Sequence, residues 1–360
     1  MKILYIHKKI ELVNGGSLCQ AANLYVLRKI AGYANVINFT KDIKREHKFT
    51  RNINRLLIGR YANFKSKDIG TILEIIECNK IDVVFFDGSQ MGLVAKEIKK
   101  KFPSIKIFSF FHNIELKLKK YEIKNLTLYQ YILAQLDLLN IYIGEKNTCK
   151  YSDVVLCLNK RDADIMRIEY KRFPDIIVPI SLNDHFNPSY LKQHNNKTPI
   201  GLMVGSYFPP NIEGLDWFVS NVLPYVNIDL IVAGSGMDIL IEKYKHHKNI
   251  KIYGYVEDLN ELYAKADFMI MPIFKGSGMK VKTAEALSYG KYIIAAPEAT
   301  VGYTFSNKEI NVCNNSDDFI RAINDFHMPP SWNGYIESSR EIYLEKYSYN
   351  SLERLYRKVF

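Results

Sequence analysis

The 360-residue chain has no run of about 18 apolar residues, the length that a membrane-crossing helix needs. Its closest stretch, Leu126–Ile143, contains Gln130, Gln135, Asp137 and Asn140 and reads as a buried helix. An apolar leader is also missing. Met1–Ile6 reads as a strand, His7, Lys8 and Lys9 interrupt it, and no small-residue cleavage site follows, so no secretory signal is expected. Cysteine is scarce and odd in number: Cys19, Cys78, Cys149, Cys157 and Cys313. No pair of them has metal-ligand spacing, and buried, reduced thiols of a cytosolic protein are expected. There is no short internal repeat and no low-complexity segment.

What is present suits a soluble globular chain. Apolar residues make up 48% and charged residues 24%, and the length suggests two domains at ~150 residues each. The net charge of +11 is unevenly placed. Residues 1–200 hold 33 basic and 19 acidic side chains, and residues 201–360 hold 16 and 19. Different partners for the two halves are therefore expected.

Short apolar runs alternate with helical patterns in both halves. Lys2–Ile6, Val36–Thr40, Asp82–Phe86, Lys106–Phe111 and Asp153–Leu158 read as strands of the first half. Ile200–Gly205, Asp229–Ala233, Ile250–Tyr253, Asp267–Pro272, Tyr292–Ala296 and Ile310–Cys313 read as strands of the second. Little alternation within these runs points to strands covered on both faces, and the β/α order points to parallel sheets. Pro179–Pro199, rich in Asn, Pro, His and Ser, reads as a linker. The expected fold class is α/β, with two Rossmann-like domains facing a cleft and a helical tail at Tyr335–Phe360. The expected boundaries are 1–185, 186–335 and 336–360.

Ligands of such folds bind beyond the carboxyl ends of the strands, so the loops there hold the candidates. Asn14-Gly15-Gly16-Ser17 follows the first strand and precedes a helix, which lets backbone approach an anion. His112-Asn113-Ile114-Glu115 ends the fourth strand, and His112 could bond a sugar hydroxyl or a leaving oxygen. Val232-Ala233-Gly234-Ser235-Gly236 is a second Gly-x-Gly turn after a strand. The richest segment runs from Met271 to Gly290 and contains Gly276-Ser277-Gly278, Lys280, Lys282 and Glu285. Lys280 and Lys282 lie about 200° apart on a helix, so one of the two is expected to reach an anion. Lys282 and Glu285 share a face. A cation beside a carboxylate suits the pyrophosphate and vicinal hydroxyls of a nucleotide.

From Val204 to Gly302 the chain resembles the donor-binding domain of bacterial family 4 glycosyltransferases, which have the GT-B fold. Four ordered pieces carry the resemblance: Gly205-Ser206-Tyr207-Phe208-Pro209-Pro210-Asn211, Ile231–Gly236, Gly254–Leu259, and the Gly276–Gly290 segment. The amino-terminal half matches through Gly15-Gly16, His112-Asn113-x-Glu115 and Ser152-Asp153. The closing helix near Tyr347–Phe360 resembles the family's tail, which crosses back onto the first domain.

The resemblance implies a retaining glycosyltransferase, with a nucleotide-sugar donor in the second domain and an acceptor in the first. Glu285 would hold the ribose hydroxyls. Lys280 or Lys282, with Ser206, Gly234, Gly276, Ser277 and Gly278, would receive the diphosphate. His112 would contact the transferred sugar, and Gly15 and Gly16 would approach the phosphates or the acceptor. No metal cofactor is expected, because lysine and a helix terminus neutralise the leaving group. Two departures stand out: Ser277 occupies the place of the first glutamate of a Glu-x7-Glu pair, and Ser206-Tyr207-Phe208 replaces the usual Arg and Lys. Other GT-B chemistry, an epimerase or phosphorylase, and a degenerate, non-enzymatic binding partner are the alternatives.

The basic excess concentrates in Lys41–Lys67, where Phe49, Ile53, Leu56 and Leu57 fall on one helical face. This pattern suits an anionic membrane surface, and no nucleic-acid motif accompanies it. A lipid-linked glycan acceptor of surface polysaccharide synthesis, at the cytoplasmic face of the inner membrane, is the partner expected. Purified protein should sediment with anionic vesicles at low salt and be released as salt rises; protein that stays off such vesicles would refute this expectation.

Overall fold

The computed structural model describes residues 1–9, 15–42, 64–123, 127–194 and 198–360. The chain divides into two compact units, Met1–Pro179 with Leu352–Phe360, and Ile180–Ser351.

The first unit contains β1 (Ile3–Lys8), β2 (Val36–Lys41), β3 (Val83–Asp87), β4 (Lys106–Phe111), β5 (Val154–Cys157) and β6 (Ile176–Ile177). All pair in parallel in the order β2-β1-β3-β4-β5-β6. The order reverses between β1 and β3, and at such a switch point the following loops part and leave a crevice. On one face Leu4, Ile6, Val84 and Phe86 pack against Ile72 and Ile76 of the Ser66–Asn79 helix and Val94 and Ile98 of the Gly92–Lys101 helix. On the other, Tyr5 stacks on Phe85 at 5.7 Å between ring centroids, and the final residues cover the row. Phe360 stacks on Phe108 at 4.3 Å, and Tyr356 tilts against Phe85 at 5.9 Å.

The second unit contains β7 (Ile200–Val204), β8 (Asp229–Ala233), β9 (Ile250–Tyr253), β10 (Phe268–Met271), β11 (Tyr292–Ala295) and β12 (Ile310–Val312). Their parallel order is β12-β11-β10-β7-β8-β9, with the reversal between β7 and β10. Leu230, Val232, Phe268 and Ile270 form a core with Phe218 and Phe319 of the flanking helices. Pro209 and Pro210 open the Pro209–Asn221 helix, where a missing N–H costs nothing. Both sheets thus show the expected α/β, two-Rossmann architecture.

Several local expectations need correction. The helix expected at Leu126–Ile143 is Leu128–Tyr151, started by Thr127, whose side chain accepts from the Gln130 amide. It is buried only from Ala134 onward; Leu128, Tyr129, Tyr131 and Ile132 are exposed, because its first turns run beyond the sheet-facing part. Cys78 is exposed, on the side of its helix away from Ile72 and Ile76, whereas the other four thiols are buried. The tail is two helices, Glu337–Lys346 and Tyr349–Tyr356. Buried Tyr347 and Ser348 break it, and the Ser348 hydroxyl accepts from the Ser351 amide at 3.2 Å. Only its residues from Leu352 onward join the first unit. Pro179–Pro199 straddles the boundary, yet its described part is built into the second unit. Leu182 N donates to Tyr347 O at 2.8 Å, and Asp184 pairs with Arg340. Most of Lys41–Lys67 lies outside the described residues; Lys41 itself pairs with Asp68 at 2.7 Å. Among the described residues no helix is long and apolar enough to cross a membrane.

Ending the chain after Ser351 should cost the first unit about 3 kcal/mol or more, the scale of losing buried aromatic side chains. Hydrogen exchange should then show weakened protection of β1, β3 and β4 with β7, β8 and β10 unchanged. Equal loss in both sheets would contradict the division.

Candidate functional site

In the second unit the loops after β7, β8 and β10 meet at the switch point. A small cavity there is bounded by Gly205, Asn211, Met237, Pro272, Ile273 and Lys282. The β7 and β8 loops touch backbone to backbone. Gly205 N donates to Ala233 O at 2.9 Å and Tyr207 N to Ser235 O at 2.8 Å. Gly234, at φ 150°, is required by this contact: a Cβ there would lie 2.0 Å from Gly205 O. Ser206 is exposed, and its carbonyl accepts from Asn211 Nδ2 at 2.9 Å. Exposed Tyr207 and Phe208 follow it.

After β10, Gly276-Ser277-Gly278 leads into the Val281–Ser288 helix. The two lysines separate, though not by helical geometry: Lys280 is the extended residue that precedes the helix, and only Lys282 lies on it. Lys280 turns inward, donating to Ser277 O at 3.0 Å and pairing with Glu298 at 2.8 Å, with 16% of each side chain exposed. It clamps the Gly-Ser-Gly loop, and Gly276 leaves room for it, since a Cβ there would meet Lys280 Nζ at 2.9 Å. Lys282 borders the cavity and pairs with Glu285 Oε2 at 2.7 Å. Tyr263, fully buried and stacked on Tyr289 at 4.0 Å, donates its hydroxyl to the same oxygen at 2.8 Å. Both donors hold Oε2, which presents the other carboxylate oxygen as an acceptor. The amides of Val281 and Lys282, in the first turn of the helix, have no acceptor among the described residues. A cation, free amides and an oriented carboxylate beside one cavity can hold an anion and a pair of hydroxyls.

In the first unit a second polar cluster occupies the β1/β3 switch point. Asp87, at the end of β3, has no exposed side-chain surface. Its carboxylate accepts from Tyr5 OH and His112 Nε2, and from Asn23 Nδ2 at 3.0 Å. Burial opposes its charge, but the His112 imidazolium and the hydrogen bonds hold its pKa below the ordinary range. Burial likewise opposes charging of His112, and Asp87 outweighs it, raising the imidazole well above its ordinary pKa. Protonated His112 keeps a buried Nδ1 for which the described residues supply no hydrogen-bond acceptor of good geometry, the Cys19 thiol also acting on the ring. Gly15 and Gly16 are the first residues of the Gly15–Ala31 helix rather than loop residues, and the same helix carries Asn23.

Sequence reading brought together Ser206, Gly234, Gly276, Ser277, Gly278, Lys280, Lys282 and Glu285, and the structure sets them around one sheet end. It missed the partners that orient them. Asp87, Tyr263 and Glu298 lie 25, 22 and 18 positions from the groups they hold, and no local spacing marks them. A signal existed for Asp87 alone: a carboxylate ending an otherwise apolar strand.

Glu145 holds the segment after His112. It is fully buried and accepts from the Glu115 amide at 2.9 Å, the Leu116 amide at 3.2 Å and Tyr170 OH at 2.5 Å. Burial pushes its pKa up to about 7. Below its unfolded value both states are protonated and the group costs nothing. Between its unfolded value and about 7 the unfolded chain ionises while the buried carboxyl keeps its proton, so stability falls as pH rises, by about 3 kcal/mol at most, and levels off above that. Urea unfolding between about pH 5 and 8 should show this decline, and Glu145→Gln should flatten it; an unchanged slope in the variant would exclude Glu145 as its source.

Residues 198–327 match the family model Glycosyl transferases group 1. The chain is 28% identical over 117 residues to an uncharacterized 44.6 kDa protein of the cps region of Klebsiella pneumoniae; the match covers 28% of this chain and 30% of that protein. Among solved structures, sucrose-phosphate synthase from Thermosynechococcus elongatus superposes with a TM-score of 0.67 at 14% identity, covering 100% of this chain and 99% of that one. Anabaena Alr3699/HepE, solved in complex with UDP, superposes with a TM-score of 0.63 at 11% identity, covering 100% and 99%. The chain has the GT-B fold, and its residues 198–327 match the Glycosyl transferases group 1 model.

Proposed function

We propose that the second unit binds a nucleotide-sugar donor and that the enzyme transfers the sugar to a glycan acceptor in bacterial surface polysaccharide synthesis. The observation that carries this reading is the Lys282–Glu285 pair beside the switch-point cavity. Glu285 would accept from the ribose hydroxyls through the oxygen that Tyr263 and Lys282 leave available. Lys282 and the amides of Val281 and Lys282 would neutralise the diphosphate as the bond from the anomeric carbon to the phosphate oxygen breaks. That oxygen keeps the electron pair, and the acceptor hydroxyl, losing its proton, forms the new bond. The solved HepE complex with UDP and the cps-region relative favour this substrate class.

The finer assignments belong to the same reading. His112 donates from Nδ1 to the transferred sugar, Gly15 and Gly16 approach the phosphates or the acceptor, and transfer retains configuration without a metal. The acceptor is lipid-linked, and the protein works peripherally at the cytoplasmic face of the inner membrane. Lys280, engaged with Glu298, serves the loop rather than the anion.

A thermal-shift screen tests the donor. The true nucleotide sugar at a hundred times its Kd should stabilise the protein by about 2.7 kcal/mol. Glu285→Gln should weaken that binding roughly tenfold to a hundredfold, the scale of hydrogen bonds to a charged group. No shift with any UDP-, GDP-, dTDP- or CMP-sugar, or undiminished transfer by Glu285→Gln, would overturn the assignment.

A further inference from the structure

Behind His112 runs a chain of hydrogen bonds that begins in the tail. Tyr356 OH donates to Asn23 Oδ1 at 2.5 Å, and Asn23 Nδ2 donates to Asp87 Oδ2 at 3.0 Å. The other oxygen of Asp87 faces His112 Nε2, and Tyr5 OH also donates to the carboxylate. Every member behind His112 is buried: Tyr5 and Tyr356 are 0% exposed, Asn23 and Asp87 2%. An amide has one accepting and one donating end. Reversing Asn23 would set its oxygen against the carboxylate and its NH2 group toward Tyr356, so the observed arrangement has one consistent direction.

We propose that Tyr356 is a positioning residue for His112: acting through Asn23 and Asp87, its hydroxyl fixes the orientation and the protonation of the imidazole. The catalytic side of this inference rests on the proposed contact of His112 with the transferred sugar; the structural side does not.

The physical argument concerns what the carboxylate would lose. A buried charge is stable only while its hydrogen bonds are complete. Without the Tyr356 hydroxyl, Asn23 Oδ1 becomes a buried acceptor with no donor, and its amide can rock away from Asp87. Asp87 then holds its charge less well, and His112 holds its proton less well. Titratable groups around the pair are Tyr5, Cys19 and Tyr356. Nothing on the Tyr356 ring needs to change. The ring has its own contacts, Phe85 at 5.9 Å and Phe360 at 5.8 Å, which a phenylalanine keeps.

The test uses the full chain, with long-range 1H–15N spectra of the His112 imidazole titrated from about pH 7 to about pH 11.5. Tyr356→Phe should lower the His112 midpoint by about half a pH unit or more, roughly threefold in proton affinity. Phe360→Leu, which loosens the tail without touching the chain of hydrogen bonds, should leave the midpoint in place. A midpoint unmoved in Tyr356→Phe, or moved equally by both variants, would overturn the inference, the second result reducing the tail to packing. With the donor found by the thermal-shift screen, Tyr356→Phe should lower kcat severalfold with donor KM within about twofold, as expected for a group that acts on the reacting state. A shifted midpoint with unchanged kcat would leave the relay standing and remove His112 from the proposed reaction.

Discussion

One buried carboxylate organises the first unit. Asp87 sits at the end of a strand in which Val83 to Phe86 are all buried, where an uncompensated charge would be expelled by protonation. It stays charged because donors converge on it from three other elements: Tyr5 of β1, Asn23 of the first helix and His112 beyond β4. Those elements flank the switch point of the sheet. The requirement that the charge be satisfied therefore sets the spacing of the strand ends and the helix there, as well as the facing of His112.

The second unit meets a similar need with shorter reach and more water. Lys282 and Glu285 are one helical turn apart and partly exposed, so their ion pair is weak as a stabiliser and can yield to a ligand. Lys280 and Glu298 are better shielded and tie the Gly-Ser-Gly loop to the turn after β11. Two lysines separated by one residue thus divide the work: one holds backbone, the other faces the cavity.

The sheets were legible in the sequence because each strand is a short apolar run bounded by polar residues. Lys106–Phe111 and Asp229–Ala233 match to the residue. β6 was not, since Ile176–Ile177 is too short to stand out. The long helix misled because its apolar residues continue past the surface that buries them: Leu128 and Ile132 resemble Ile141 in the sequence but not in the structure. Gly-rich loops and the Lys282–Glu285 spacing were visible because they are local. Asp87–His112, Tyr263–Glu285 and Tyr356–Asn23 were invisible because their partners are joined by topology. Gly15-Gly16 was read as a loop because paired glycines let backbone approach a ligand, whereas the helix begins at Gly15.

The crossing of the tail has a consequence for how the protein comes to be folded. Phe108 and Phe85 are covered by Phe360 and Tyr356, residues made about 250 positions later during synthesis. The ribosome thus releases a first unit whose sheet still has an uncovered aromatic row and whose Asn23 still lacks its donor. The second unit, continuous from Ile180 to Ser351, can close before the first is finished. Completion of the earlier-made unit waits on the much later Leu352–Phe360 segment, and until then its bare aromatic face is open to misassociation.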